Sequence, residues 1–322
     1  MAKLTLIDLA KRSGNDRTIG VVESMTQANA FWSLVPAREV NQSMFKYQVR
    51  TGLPTVGFRA LNAGVSPEKS IIKDVIVECK EMLGLSQIDR AIANRSPDGA
   101  KAFIAKENAG FIASGANTFN SKVYYGSSAT NAPEIDGIGT ILSTIGGTCV
   151  SMAGATANVQ TSMYFWSFKD AVGTSGILPG VDVPYFGGLP MMEDLGLQLA
   201  YQTGSTTAMY PAYTSAFTFS PAFAVYDSRS VGRLCNIQTA STATPPTVAK
   251  INSVLTQMFP YTCDLITCNK ATFDSIQGLK GTSAFQQTSP YESSDIFKRA
   301  TTFNGIPILI DESITQTEAI VS

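Results

Sequence analysis

The first seventy residues of the chain have apolar faces but too little bulk behind them to build a core. Phe45, Tyr47 and Val49 alternate with Lys46, Gln48 and Arg50, the period-two pattern of a strand with one apolar side. The turn Thr51-Gly52-Leu53-Pro54 follows, and Val56 to Leu61 predicts the returning strand, ended by Asn62-Ala63-Gly64. A two-stranded ribbon is marginal alone in water. Projected from a body, it has to lie on a partner surface. The segment before it has the same difficulty. Leu4 to Arg12 predicts a short helix ended by Ser13-Gly14. Thr18 to Asn29 predicts a second, with Ile19, Val22 and Met25 at three-residue spacing, and Pro36 closes the region. Neither helix is long enough to be stable alone. Each must dock on this chain or on a neighbour.

Composition leaves room for such partners. Only 15% of the 322 residues are charged, against roughly 25% in an average soluble domain. Ser, Thr, Asn and Gln cover part of the surface that charge leaves bare, and burial against partner chains would cover the rest. Hydrophobic residues make up 44%, enough for a sizeable core in one large domain or two closely joined ones. The formal net charge is -1. The basic excess by which Lys and Arg release counterions from a phosphate backbone is therefore missing. Tight nucleic-acid binding is disfavoured, while a near-neutral wall beside DNA is allowed. The opening, Met1 to Leu9, meets Asp8 before any long apolar run, unlike a secretory leader. No segment approaches the roughly 18 apolar residues of a membrane span. The expectation is a protein made and used in cytoplasm, with no membrane contact. Cys79, Cys149, Cys235, Cys263 and Cys268 are scattered and odd in number, which in a reducing compartment reads as free thiols in a core.

Beyond the ribbon the pattern is α+β. Ile71 to Leu83 predicts one long strand. Ser96-Pro97-Asp98 is a helix start, with Ser as N-cap, Pro at the first helical position and an acid in the first turn. Phe103, Ile104, Phe111 and Ile112 then fall on one helical stripe, and Gly115 is the expected stop. From Lys122 the chain turns Gly-rich and β-prone. Tyr164, Trp166 and Phe168 form one aromatic alternation, and Phe217 and Phe219 another. Thr247 to Phe259 predicts a helix with Val248, Ile251, Val254, Leu255 and Met258 on one face, and Lys270 to Leu279 a second after Asn269. Ile306 to Ile310 is a late strand that Pro307 places at a sheet edge. The order has neither the regular βαβ alternation of a dinucleotide-binding fold nor an internal repeat.

Signals for chemistry are sparse. The chain contains no histidine, which removes the usual general base and every Ser-His-Asp or Cys-His nucleophile system. Cys263 and Cys268 lack the second pair that a structural zinc would need. Gly137-Ile138-Gly139 begins like a dinucleotide loop but lacks its third glycine. Ser66-Pro67-Glu68-Lys69 and Ser70-Ile71-Ile72-Lys73 have the spacing of a Ser nucleophile with a Lys partner, without the companion motifs of that class. The acidic pairs Glu193-Asp194 and Asp311-Glu312 read as solvated turns, since neighbours on a strand point to opposite faces. No catalytic residue, cofactor or metal is assigned. The aromatic stripe at Tyr164, Trp166 and Phe168 lacks the interleaved basic residues of a base-stacking surface, and reads as sheet core or subunit contact.

An ordered series of short strings runs along nearly the whole chain. After the arm at Leu4–Pro36 come Lys46-Tyr47, Leu53-Pro54-Thr55-Val56-Gly57-Phe58-Arg59 and Leu61-Asn62-Ala63-Gly64-Val65. The helix from Ser96 precedes Tyr124-Tyr125-Gly126, Ile135-Asp136-Gly137-Ile138, Gly146-Gly147-Thr148 and Thr161-Ser162-Met163-Tyr164-Phe165. Gly176-Ile177-Leu178-Pro179-Gly180 is followed by the run Asp227 to Ile237, then Asn304-Gly305-Ile306-Pro307-Ile308 and Thr317-Glu318-Ala319. In order and spacing this series resembles the major coat proteins of tailed phages with the Hong Kong 97-type fold, and more narrowly the single-chain coat proteins of a podovirus-associated family. One departure is Gly180-Val181-Asp182, where a basic residue nearer the Pro-Gly is expected.

The resemblance implies an architecture: an N-terminal arm (1–43), an extended β-hairpin loop (44–70), a peripheral domain with a long spine helix (71–119) and a mostly axial domain (120–322). Strands near 215–237 are candidates to return to the periphery. It implies a major capsid protein, not an enzyme, that assembles into hexamers and pentamers of an icosahedral head enclosing double-stranded DNA. Portal and scaffolding proteins would co-assemble, a decoration protein is a further candidate partner, and packaging would drive expansion. On this reading Phe45, Tyr47, Val49, Leu53 and Phe58 of the extended loop contact neighbouring subunits. Phe103, Ile104, Phe111 and Ile112 pack the spine helix. Lys11, Arg12 and Arg17 are candidates to face packaged DNA without sequence preference. Some relatives crosslink a loop Lys to a neighbour's Asn, but all three reacting groups cannot be placed here, and no crosslink is expected. The location implied is the virion, assembled in the host bacterial cytoplasm. Three other readings make distinct predictions. Another phage structural protein, a tube or decoration subunit, would form filaments or rings. A receptor-binding β-rich protein would form trimers without a spine helix. An enzyme would lose turnover on substitution of Lys69 or Lys73.

Overall fold

The computed structural model describes residues 35, 38–39, 44–95, 99–173, 176–178, 182–202, 205–238, 244–277, 285–287 and 301–322. Both arm helices, Lys11, Arg12, Arg17 and the start Ser96-Pro97-Asp98 lie outside the described residues. Strand β1 is Arg38–Glu39. The ribbon is built from β2 (Met44–Gly52) and β3 (Ile71–Glu78), antiparallel, with Tyr47 opposite Val75 and Val49 opposite Lys73. The expected returning strand at Val56–Leu61 is therefore corrected: the chain returns at Ile71, and 53–70 forms a tip without strands. The reason is local. Pro54, Gly57, Asn62-Ala63-Gly64 and Pro67 interrupt the first stretch, whereas Ile71, Ile72, Val75, Ile76 and Val77 are β-branched throughout.

The long strand expected over Ile71–Leu83 is two strands. It breaks at Cys79-Lys80-Glu81, and β4 (Met82–Asp89) enters a different sheet. That sheet has the order β1-β9-β10-β4, where β9 is Asp182–Tyr201 and β10 is Met209–Ala224. Across it Phe217 lies opposite Gly84 on one side and Met192 on the other. A short helix α1 (Arg90–Arg95) leads to the long α2 (Ala100–Tyr125), which packs on this sheet.

Helix α2 is longer than the spacing predicts. Gly115 does not stop it. The helix runs to Tyr125, where the Gly126 amide donates to the Lys122 carbonyl at 2.8 Å. Gly115 is present because the Phe217 ring presses against the helix backbone there: a methyl at that position would lie 2.6 Å from the ring. Ile112, Ala116, Phe119 and Val123 continue the buried face, and Phe119 meets Phe219 edge-on with ring centres 5.4 Å apart.

After a single helical turn α3 (Ile138–Ile141) the chain builds a second, seven-stranded sheet. Its order is β13-β14-β15-β12-β6-β11-β5. The strands are β5 (Cys149–Ser151), β6 (Gln160–Trp166), β11 (Val231–Gln238), β12 (Leu265–Cys268), β13 (Phe285–Gln287), β14 (Thr301–Phe303) and β15 (Ile306–Ile310). A small hairpin, β7 (Ala171–Gly173) with β8 (Gly176–Leu178), stands apart from both sheets.

Strand β6 is buried on both faces, which explains its aromatic alternation. Tyr164 and Trp166 face the core shared with α2, while Met163 and Phe165 face the core under α4 (Val248–Gln257) and α5 (Lys270–Gln277). These two helices start where expected: Thr247 accepts from the Lys250 amide at 3.4 Å, and Asn269 from the Thr272 amide at 2.8 Å. Strand β15 is not at an edge; it lies between β14 and β12. Pro307 is tolerated because pairing with β12 begins one residue later, at Ile308. The tight turn into β15 uses Asn304 and Gly305, both at positive φ (48° and 81°), as a two-residue hairpin with right-handed strand twist requires.

Candidate assembly surfaces

The ribbon is held together by its own ladder and by charge. Lys46 on β2 pairs with Asp74 on β3 at 2.6 Å, and the Lys46 ammonium holds the Asp74 carboxyl below its ordinary range. The tip has little internal support. The Glu68 carboxylate accepts from the Thr55 amide at 2.6 Å, and Arg59 donates to the Ala63 carbonyl at 2.8 Å. Around these contacts stand Leu53, 70% exposed, Val56, 92%, and Leu61, 94%, with Phe58 and Val65 also exposed. The tip is thus an apolar surface on a thin support, the arrangement that marks an interaction site.

The five loop residues separate into different roles. Leu53 and Phe58 are exposed at the tip. Val49 is half-buried midway along the ribbon. Tyr47 lies nearer the root, where it packs on Tyr226 of its own chain. The Phe45 side chain lies outside the described residues. Val56, Leu61 and Val65 join the surface, and were missed because their stretch reads as a strand. Lys69 and Lys73 are exposed.

A second apolar surface lies on the four-stranded sheet. Leu197, Leu199 and Tyr201 share one face of β9, with Met209 opposite Tyr201, and all four side chains are exposed. Its signal was available in the sequence, since the leucines repeat with period two. Of the spine-helix residues, Ile112 is buried, Phe111 is half-buried against the Gly84 backbone and the core, and Phe103 and Ile104 are half-buried nearer the helix start.

Between α2 and the larger sheet lies a polar network that sequence spacing did not reveal. Arg233 on β11 pairs with Glu318 at 2.9 Å, both side chains nearly out of solvent. Glu318 also accepts from Tyr125 at 2.6 Å and from Ser162 at 2.5 Å, and Arg233 donates to the Leu142 carbonyl at 2.9 Å. Burial opposes the charge on Arg233, but its anionic surroundings outweigh that and hold its pKa above the ordinary value. Burial pushes the Tyr125 hydroxyl up as well. Asp311 is likewise inside, accepting from Asn120 and Tyr124 at 2.9 Å each, so the reading of Asp311-Glu312 as a solvated pair fails for Asp311. Asn236, at φ 56°, bonds the Val321 backbone with both ends of its side-chain amide. These contacts strap residues 311–322 across α2, β6 and β11. Beside them opens a hollow of about 420 Å³ whose charged floor, Arg233 and Glu318, is already paired. Among the described residues no three His, Cys, Asp or Glu side chains gather as a metal site, and no helix is long and apolar enough to cross a membrane.

An apolar-tipped ribbon, a long helix packed on a narrow sheet and a larger sheet strapped by the chain end are the parts that the resemblance implies. A family model described as major capsid protein GP7 matches residues 13–322. The chain belongs to that family. Among solved structures, it is similar to a chain in the near-atomic structure of bacteriophage Epsilon15, at 20% identity, with 90% of this chain and 89% of that one covered and a TM-score of 0.60. It is also similar to a chain of the bacteriophage JBD30 capsid, at 9% identity, covering 87% of this chain and 88% of that one, with a TM-score of 0.49. No curated protein matches. The Epsilon15 likeness carries the fold, which is of the Hong Kong 97 type. The protein is a major capsid protein of an icosahedral tailed-phage head, a structural component of the virion built from many copies.

Proposed function

We propose that this capsid protein closes its shell by laying the ribbon tip of each copy on a neighbouring copy, within hexamers and pentamers. The exposed apolar tip at Leu53, Val56, Phe58, Leu61 and Val65 carries this reading. Five large side chains in water on a support without a core are stabilised only when another surface covers them. The face formed by Leu197, Leu199, Tyr201 and Met209 is a further contact between copies. Residues 1–43 serve as the arm, 44–70 as the extended loop, 71–119 with its spine helix α2 as the peripheral domain, and 120–322 mostly as the axial domain. The shell encloses double-stranded DNA, with Lys11, Arg12 and Arg17 as non-specific contacts. Assembly takes place in the host bacterial cytoplasm with scaffolding and portal proteins, and a decoration protein is a further partner. The role is structural, without catalysis.

The test is negative-stain imaging of particles from wild-type and Phe58→Asp chains, each co-expressed with the neighbouring assembly genes. A charge at an exposed tip leaves the subunit folded but opposes burial of the tip. Closed shells are expected from the wild type and only unassembled subunits or open fragments from the variant. Normal shells from Phe58→Asp would remove the tip from the contact.

A further inference from the structure

The seven-stranded sheet holds two thiols in contact. Cys149 opens β5 and Cys235 lies on β11, and their sulfurs are 3.9 Å apart although 86 positions separate them in the chain. Both side chains are buried. In the parallel pairing of these strands Cys149 stands opposite Arg233, and Cys235 opposite Ser151. The two thiols and the Arg233 side chain therefore share one face of the sheet. Arg233 is also part of the floor of the hollow beside the chain end. A small solute in that hollow reaches Arg233, and Cys149 is its partner across the ladder. The thiols are unequal. The bond shared with Cys235, helped by the Arg233 charge and opposed by burial, holds the Cys149 thiol below its ordinary range. That same bond and burial push the Cys235 thiol up. Cys149 is thus the readier of the two to ionise and attack.

We infer that Cys149 and Cys235 are the site of a peroxide-driven disulfide that staples β5, at the end of the sheet, to β11. The Cys149 thiolate attacks one oxygen of hydrogen peroxide. The O–O bond breaks, and the hydroxide released takes up the Cys149 proton as water. The Cys235 sulfur then attacks the sulfenic acid left on Cys149. The S–O bond breaks, and the second hydroxide leaves with the Cys235 proton as water. Two thiols are oxidised, and one peroxide is reduced to two waters. The sulfurs must close from 3.9 Å to about 2.05 Å. Strand β5 is placed to supply that movement. It has three residues, stands at the end of the sheet beside β11, and follows Gly146 and Gly147, both at positive φ. A bridge across 86 positions removes much chain entropy from the unfolded state and so stabilises the subunit. A cytoplasm keeps such thiols reduced, and a particle outside a cell has no such protection, so the staple forms after release. This timing rests on the reading that shells assemble in the cytoplasm, while the chemistry does not.

Peptide mapping of the purified full-length chain tests this, with hydrogen peroxide as the only oxidant. Remaining thiols are blocked with iodoacetamide under denaturing conditions. Sulfoxides at the exposed Met44 and Met209 report that peroxide has reached the chain. The expected product is a tryptic pair joining Cys149 to Cys235, absent before peroxide and released by dithiothreitol. In Cys235→Ala, Cys149 should carry a sulfenic acid that dimedone traps. In Cys149→Ala, Cys235 should remain a free thiol. The oxidised wild type should melt about 5 °C above the same sample after dithiothreitol, which leaves methionine sulfoxides in place. Sulfoxide at Met44 without the Cys149–Cys235 pair would overturn the site. A pair that leaves the midpoint unchanged or lowers it would overturn the staple. Should either Ala variant not fold, the wild-type map and midpoint decide. No shell is involved, so this outcome is separate from that of the Phe58→Asp particles.

Discussion

Arg233 and Glu318 stand 85 positions apart in the chain and meet at 2.9 Å with almost no solvent. Such a pair contributes little net stability when replaced whole by apolar residues, but breaking it strands a buried charge at a cost of about 3 to 5 kcal/mol. Glu318→Leu leaves Arg233 without its counter-charge and frees the Tyr125 and Ser162 hydroxyls as well. It should therefore destabilise the subunit by roughly that amount. Arg233→Met should do the same from the other side. The double variant should recover at least about 2 kcal/mol relative to the sum of the singles, because residues in one network couple. Denaturant unfolding of the four chains measures this directly, and simple additivity would mean that the two groups do not act on each other. Sequence reading placed both residues in short strings without pairing them, since nothing in spacing brings positions so distant together. The same holds for Asp311, whose neighbours Asn120 and Tyr124 come from α2.

At the scale of elements, α2, α4, α5 and the aromatic alternations of β6 and β10 were legible, because each carries an apolar period of its own; β9 and the grouping of strands into two sheets were not. Two of the errors share one cause: a residue with two physical uses was read for the commoner one. Gly115 was taken as a helix stop, but it is the point where Phe217 presses on the helix. Pro307 was placed at an edge, but it precedes the first β12 pairing of an inner strand. Two glycines of α2 make the distinction measurable. Gly110 is exposed, and a methyl there would meet nothing within 4 Å. Gly110→Ala should therefore stabilise the subunit by up to about 1 kcal/mol, the difference in helix propensity. At Gly115 the same gain is opposed by contacts of 2.6 Å and 2.8 Å with the ring of Phe217, itself buried. Overpacking costs about 1 to 3 kcal/mol, so Gly115→Ala should be neutral or destabilising by up to about 2 kcal/mol. A thermal midpoint that rises for Gly110→Ala and stays level or falls for Gly115→Ala is the expected result. A rise for both would show that Phe217 yields without strain and that the glycine is not held there by packing.

At the scale of the whole molecule, stability and assembly use different surfaces. The two larger buried clusters lie on either side of the seven-stranded sheet, and one of them extends under α2. The ribbon tip and the β9 face lie outside both. A chain with only 15% charged residues keeps such faces only if they become covered, because an apolar patch left in water invites non-specific association. The need for partners was legible in the first seventy residues, from apolar faces with no core behind them; which face each copy covers was not, because a single chain's pattern does not include its neighbour. The β9 face separates the two roles. Leu197 and Leu199 are 49% and 67% exposed, so replacing both with Lys leaves the clusters intact and should shift subunit stability by no more than about 0.5 kcal/mol per residue. The same change places two charges where a contact between copies would exclude water, and desolvating an unpaired charge is costly. The Leu197→Lys, Leu199→Lys chain should therefore unfold at the wild-type temperature, stay soluble at higher concentration and sediment as unassembled subunits under conditions where the wild type forms shells. Normal shells from this chain would restrict the contact to the ribbon tip. A lowered unfolding temperature would instead make the face part of the subunit's own fold, covered by residues of the same chain.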